Sequence, residues 1–274
     1  GGSGGGGGGA GPSPAARAER ALRLLTLTPQ GMLFEDEHVQ VGVKHEYRGP
    51  AGRLALYLRN RDPARPLVAA RLGVASTGPA LRVQAREEDG AERAVPPGGQ
   101  ATLMALLECL QPFKDPPELR LQYTAPGGRA FNHLLRLPVA MTCFLEPVPL
   151  PDRGAFEDRW GRLAPQDGND AQETVGLISA TDPGARLARL RRMMEQGMRM
   201  AVVESNADTE LLAAATFRTN TSGPDGNKLS VGCLVKVNVP SGNPSTLQVA
   251  VRSTAARASW GLLHAVAAQA RGLE

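Results

Sequence analysis

The chain has 274 residues, a formal net charge of +4, and an apolar fraction of 42% with only 4% aromatics. That length suits two ordinary domains with cores of Leu, Val and Ala, and charges mixed along the chain argue against a nucleic-acid surface built on clustered Lys and Arg. No apolar run approaches the roughly 20 residues that cross a bilayer, and the N-terminus lacks the charged-then-apolar layout of a secretory signal. Cys109, Cys143 and Cys233 lie far apart in apolar runs, which fits buried free thiols in a reducing compartment. The expectation is a soluble cytoplasmic protein.

Residues 1–16 are almost entirely Gly, Ser, Pro and Ala. Such a stretch buries too little surface to offset its ordering entropy, so a flexible tether is expected. Residues 17–24 offer either a short helix or a direct lead into the first strand, and 1–24 is set apart as hinge or tether.

From Leu25 to about Leu137 the dominant period is two. Val39, Val41 and Val43 alternate with Gln40, Gly42 and Lys44, and Leu54, Leu56 and Leu58 with Ala55, Tyr57 and Arg59. Alternation over short runs is the mark of half-buried strands. Turn chemistry separates them, as at Arg48–Gly52, Asp62-Pro63, Asp89-Gly90, Pro96–Gly99 and Pro126–Gly128. About eight strands at this spacing predict an antiparallel sandwich over 25–149. Leu103–Leu110 reads as a buried strand.

After Pro147 and Pro151 the pattern changes, and 150–274 is taken as a second unit. Asp152 is an acidic N-cap candidate for a helix through Leu163. On that helix Phe156 and Trp160 share a face. With only two tryptophans and six phenylalanines in the chain, the pair suggests an anchor for a peptide. Phe156, Trp160 and Leu163 also follow the i, i+4, i+7 spacing of an ordinary inner helix face. A polar loop at 165–170 leads to Leu177-Ile178. Asp182-Pro183-Gly184 then opens a helix of roughly 15 residues with the stripe Leu187, Leu190, Met194 and Met198. Three strands are predicted over 211–217, 229–239 and 247–251, with a hairpin loop at 220–227. A final helix over 254–270 carries Trp260, Leu263, Val266 and Ala267. Strands grouped between helices make an α+β layer.

Catalytic chemistry is missing. His38, His45, His133 and His264 have neither metal-ligand spacing nor a nucleophile beside them. Glu87-Glu88-Asp89 reads as a solvated tip. No glycine-rich loop joins a strand to a helix in the phosphate-binding manner. The chain is expected to be no enzyme and to need no cofactor or metal.

Several words of the sequence carry a resemblance: Gly31–Asp36, Val41–Arg48, Gly52-Arg53-Leu54, Leu107–Leu110, Arg159–Leu163 and Gly232–Val235. In order and spacing, from about Gly31 onward, they resemble the appendage ("ear") domain of the large α subunit of the plasma-membrane clathrin adaptor, adaptor protein complex 2. The resemblance implies an immunoglobulin-like β-sandwich followed by a platform of antiparallel sheet flanked by helices. It implies a module that hangs on a hinge and binds short motifs in disordered endocytic accessory proteins. It also implies that other adaptor subunits and clathrin are reached through regions outside this chain. The implied location is the cytoplasmic face of the plasma membrane, in clathrin-coated pits, with neither nucleic acid nor membrane insertion involved.

On the platform the resemblance implies a site for Asp-Pro-Phe and Phe-x-Asp-x-Phe motifs. Trp160 matches its exposed tryptophan, Arg252 one arginine, and Lys236 stands where another arginine is usual. Gln248 falls at a third arginine, and Glu173 loosely matches a polar pocket residue. The family's exposed phenylalanine falls on Glu157, with Phe156 as a buried neighbour. An indole receives a ligand phenyl and cations receive its aspartate; lysine in place of arginine removes bidentate geometry. On the sandwich, Lys44, Tyr57 and Gln100 match a site for Trp-x-x-Phe motifs, and Arg59 replaces a glycine and crowds it. Lys44 and Gln100 read equally as solvated strand residues. The alternatives are an appendage of another coat adaptor with a different motif code, or a structural spacer with Trp160 in its core.

Overall fold

The computed structural model describes residues 14–74, 78–85, 92–163, 168–176, 182–203, 209–223 and 226–273. The Gly-rich start, the acidic stretch 87–89 and Leu177-Ile178 lie outside the described residues. The described chain is mostly β, with four helices.

The alternating N-terminal runs form nine strands in two antiparallel sheets. One has the order β1 (Gln30–Glu35), β2 (Val39–Arg48), β3 (Ala51–Asn60), β7 (Gln100–Cys109) and β5 (Leu81–Ala85). The other runs β6 (Arg93–Val95), β4 (Leu67–Val74), β8 (Glu118–Thr124) and β9 (Ala130–Arg136). Burial follows the period of two: Val39, Val41 and Val43 face inward, as do Leu54, Leu56 and Leu58. The two apolar faces close on each other as a sandwich. Leu103, Ala105 and Leu107 are buried on β7, as expected of a strand there.

Residues within the predicted tether are ordered as helix α1 (Pro14–Leu25), the first of the two alternatives for 17–24. Leu25 is buried, and its carbonyl lies 2.9 Å from the His45 imidazole. Gln269 Nε2 donates to Arg23 O and Thr26 Oγ1 from the other end of the chain. These contacts give the start of the folded region a docking partner that a free tether lacks.

The C-terminal half holds a third sheet. Its order is β10 (Leu145–Pro147), β13 (Glu210–Ser222), β14 (Lys228–Asn238), β15 (Thr246–Ser253) and β11 (Asp170–Gly176), and β12 (Ala201–Val203) also pairs with β13. Helix α2 (Arg153–Arg162) covers one face of this sheet. The other face, with Leu211, Ala213, Val235, Val249 and Val251, joins the sandwich core and α4 (Ala256–Arg271) in one continuous apolar cluster. Helix α3 (Pro183–Arg192) is capped by Asp182 and continues as a π turn over Met193–Gly197, which together give the predicted helix its length. Leu187, Leu190, Met194 and Met198 are all buried. The predicted 220–227 loop is shorter, because the strands extend to Ser222 and from Lys228.

One apolar residue of the last helix faces outward. Trp260 is 53% exposed, while Ala258, Leu262, Val266 and Ala270 are buried. At about 100° per residue, position 260 points away from the face shared by 258, 262 and 266.

Candidate functional site

The site is assembled by α2 and the face of the third sheet beneath it. Asp152 caps α2, accepting from Ala155 N at 2.8 Å, and so fixes where the helix starts and which residues face the sheet. Phe156 is fully buried against Val203, Leu212, Ala214 and Leu234. These belong to positions of β12, β13 and β14 that alternation turns away from the main core. Trp160, one turn on, stacks on Phe156 with ring centres 5.7 Å apart and is only partly buried.

Two cations approach the indole. The Arg252 guanidinium lies 4.6 Å and Lys236 Nζ 5.1 Å from the ring centre, within the range of cation–π attraction. Both come from the sheet: Arg252 pairs with Leu234, and Lys236 with Leu212 and Ala250, so their side chains share the α2 face. Arg252 also donates to Trp160 O at 2.9 Å, which ties the strand to the helix.

Neither cation lacks a counter-charge. Lys236 Nζ donates to both carboxylate oxygens of Glu157, at 2.9 and 3.1 Å. Arg252 pairs with Asp170 at 3.2 Å in a pair whose side chains are 16% and 13% exposed. Arg252 Nε is buried without a hydrogen-bond partner among the described residues. Glu157 therefore neutralises the lysine beside the ring.

Of the expected platform residues, the structure brings together Phe156, Trp160, Glu157, Lys236 and Arg252. Gln248 is exposed two steps from Ala250 on β15, on the same sheet face but farther along the strand. Glu173 is a correction. From β11 it pairs with Val249 of β15 and so points to the α4 face, where the Arg271 guanidinium donates to it. Alternation leaves Asp170, Gln172 and Thr174 on the Trp160 side instead. Asp170 was missed. The signal for it is the antiparallel register that sets it opposite Arg252, which is not readable until the pairing of β11 with β15 is known.

The sandwich residues share the outer face of the β2–β3–β7 layer. Lys44 lies opposite Ala55, Tyr57 opposite Gly42 and Thr102, and Arg59 opposite Gln40 and Gln100. Lys44 and Tyr57 line a shallow recess of about 190 Å³ together with Glu46, Arg53, Ala55 and Met104. Arg59 and Gln100 sit at the next cross-strand step and are not part of its lining. Arg53, held 3.7 Å from Glu46, and Met104 were not foreseen.

Several relatives of the chain are AP-2 complex α subunits. The AP-2 complex subunit alpha-2 of Dictyostelium discoideum is 28% identical over 181 residues, 66% of this chain and 17% of the relative. The AP-2 complex subunit alpha of Schizosaccharomyces pombe is 25% identical over 228 residues, 82% and 24% respectively. The AP-2 complex subunit alpha-1 of Arabidopsis thaliana is 31% identical over 139 residues, 51% and 13%.

The chain is a distant homologue of AP-2 α subunits.

It spans about a fifth of the length of the AP-2 α relatives from Dictyostelium and Schizosaccharomyces. No protein-family model matches it. Two solved structures are similar over part of it: the yeast GGA1 GAE domain, with TM-score 0.32 and 16% identity over 39% of this chain and 97% of that one, and the GAE domain of GGA2p from Saccharomyces cerevisiae, with TM-score 0.33 and 8% identity over 41% and 100%. No helix among the described residues is long and apolar enough to cross a membrane.

Proposed function

We propose that this chain is the appendage of an AP-2 α-type adaptor subunit and that its platform binds short aromatic and acidic motifs in disordered endocytic accessory proteins. The observation that carries the reading is the partly open Trp160 ring with Arg252 and Lys236 within about 5 Å of its centre, in a chain homologous to AP-2 α subunits. The indole takes a ligand phenyl ring, and the two cations take the aspartate of Asp-Pro-Phe or Phe-x-Asp-x-Phe. The role is one of binding, not catalysis. We divide the chain into a lead-in over 1–24, a sandwich over 25–149 and a platform over 150–274, with β10 reaching from the sandwich segment into the platform sheet. Its place is in clathrin-coated pits, peripheral to the membrane. On the sandwich, the recess beside Lys44 and Tyr57 is the counterpart for Trp-x-x-Phe motifs.

Internal pairing tunes this site. An incoming aspartate competes with Glu157 for Lys236 and with Asp170 for Arg252, so single motifs bind weakly and repeated motifs gain by avidity. The same pairing favours a second reading, in which the cluster is self-satisfied and α2 is only structural.

Calorimetric titration with Asp-Pro-Phe peptides separates the two. Trp160→Ala is expected to abolish binding while lowering stability by only about 1–2 kcal/mol, below the cost of truncating a fully buried aromatic. Unchanged affinity, or a stability loss of buried-core size without any measurable binding by the unaltered chain, supports the structural reading.

A further inference from the structure

Away from Trp160, a cleft of about 220 Å³ opens between α1, α4 and the end of the sandwich. It shares no residue with the Trp160 cluster. Its floor is apolar, with Leu22, Leu27 and Met141. Its rim is cationic: Arg23 from α1, Lys114 from the β7–β8 connection, Arg136 at the end of β9, and His264 and Arg271 from α4, against Glu19 alone among the lining acids.

The rim charges are unequal in availability. Arg271 is engaged by Glu173, and Arg23 lies 3.9 Å from Glu19. Lys114 and Arg136 are exposed and form no ion pair among the described residues. Their field converges on His264. Burial lowers the pKa of this imidazole most, Lys114 lowers it further, and Arg136 adds to that against the opposing pull of Asp115.

Size and chemistry narrow the occupant. The cleft is smaller than the roughly 300 Å³ at which pockets for drug-sized ligands begin. It fits a single side chain, not a cofactor. An apolar floor gives an inorganic anion nothing, whereas a cationic rim attracts carboxylates and repels a basic partner. We propose that this cleft is a separate peptide port, which takes one apolar side chain of an acidic segment onto its floor and the neighbouring carboxylates onto Lys114 and Arg136. The port shares with the proposed function only the class of ligand.

The test uses the full chain and a fluorescein-labelled Asp-Glu-Leu-Glu-Asp peptide, which offers one apolar side chain among carboxylates and no aromatic ring for Trp160. Anisotropy reads binding, and NMR reads the His264 imidazole. The unaltered chain is expected to bind, and the peptide to raise the His264 pKa by bringing negative charge to it. The K114E/R136E double variant alters two exposed residues and should keep its melting temperature; its affinity is expected to fall about tenfold or more. Trp160→Ala is expected to leave this binding unchanged, so the port and the Trp160 reading fail separately. Four results overturn the proposal: no binding by the unaltered chain; charge reversal without effect; loss of binding on Trp160→Ala; or an equal His264 shift from inorganic sulfate, which marks a small-anion site only.

Discussion

At the scale of single residues, one turn of α2 separates a fully buried aromatic, Phe156, from a partly open one, Trp160. Phe156 is fully buried, so Phe156→Ala should cost about 3–5 kcal/mol in urea unfolding. A loss no larger than that of Trp160→Ala contradicts this division. Glu157 sets the charge beside the indole. Its pairing with Lys236 is partly exposed, 38% on the acid, and a pair of that kind is worth roughly 0.2–1 kcal/mol. Glu157→Gln should therefore tighten Asp-Pro-Phe binding by up to about fivefold. Weaker binding means that the carboxylate positions Lys236 instead of competing for it. The Phe156–Trp160 pair and the Asp152 cap were legible in the sequence because helical spacing and cap chemistry are local. The opposite facing of Glu173 and the Asp170–Arg252 pair were not, since both depend on register with a strand some 80 residues away.

At the scale of elements, α4 is held by how closely it approaches the sandwich. A Cβ added at Gly261 falls 2.4 Å from Phe113 O and 2.8 Å from Met141 Sδ. A backbone carbonyl cannot swing aside as a side chain can. The clash, about 1–3 kcal/mol for overpacking, should outweigh the roughly 1 kcal/mol that alanine gains over glycine within a helix. Gly261→Ala is thus expected to destabilise, and an unchanged or raised melting temperature rules out this close approach. The sandwich strands were readable from their period of two, and β13, β14, β15 and α3 from their apolar runs, whereas β10, β11 and β12 were not predicted. Trp260 stays exposed on α4 because the phase of that helix is set by Ala258, Leu262 and Val266.

At the scale of the whole molecule, the apolar cluster is continuous from the sandwich through α4 to the third sheet. Arg199, held at φ 57°, adds a polar tie by donating to Cys143 O at 2.9 Å. The halves should unfold in one calorimetric transition; two resolved transitions indicate separable cores. Acid should weaken this unit. Burial lowers the pKa of both His45 and His264, His45 against the backbone carbonyls that partly offset it. A histidine whose folded pKa lies below its unfolded value of about 6.5 gives its full stability above that pH and loses it as pH falls toward the folded pKa. The melting temperature should be level from pH 8 to 7 and fall below about 6.5, and His45→Gln should flatten the fall. A curve that is flat down to pH 5 contradicts this.

The sequence by itself determined the strand runs, the helix caps, the change of pattern after Pro147 and the kinship to AP-2 α subunits. The first three follow from backbone geometry and turn chemistry, which act over a few residues; the kinship rests on shared stretches of sequence. Only the tertiary structure decided which charges meet. Lys236 finds Glu157 across 79 positions of chain, and Arg252 finds Asp170 across 82. Such encounters depend on strand register and on which sheet face a helix covers. The cationic cleft arises in the same way, from helices near opposite ends of the described chain docking side by side.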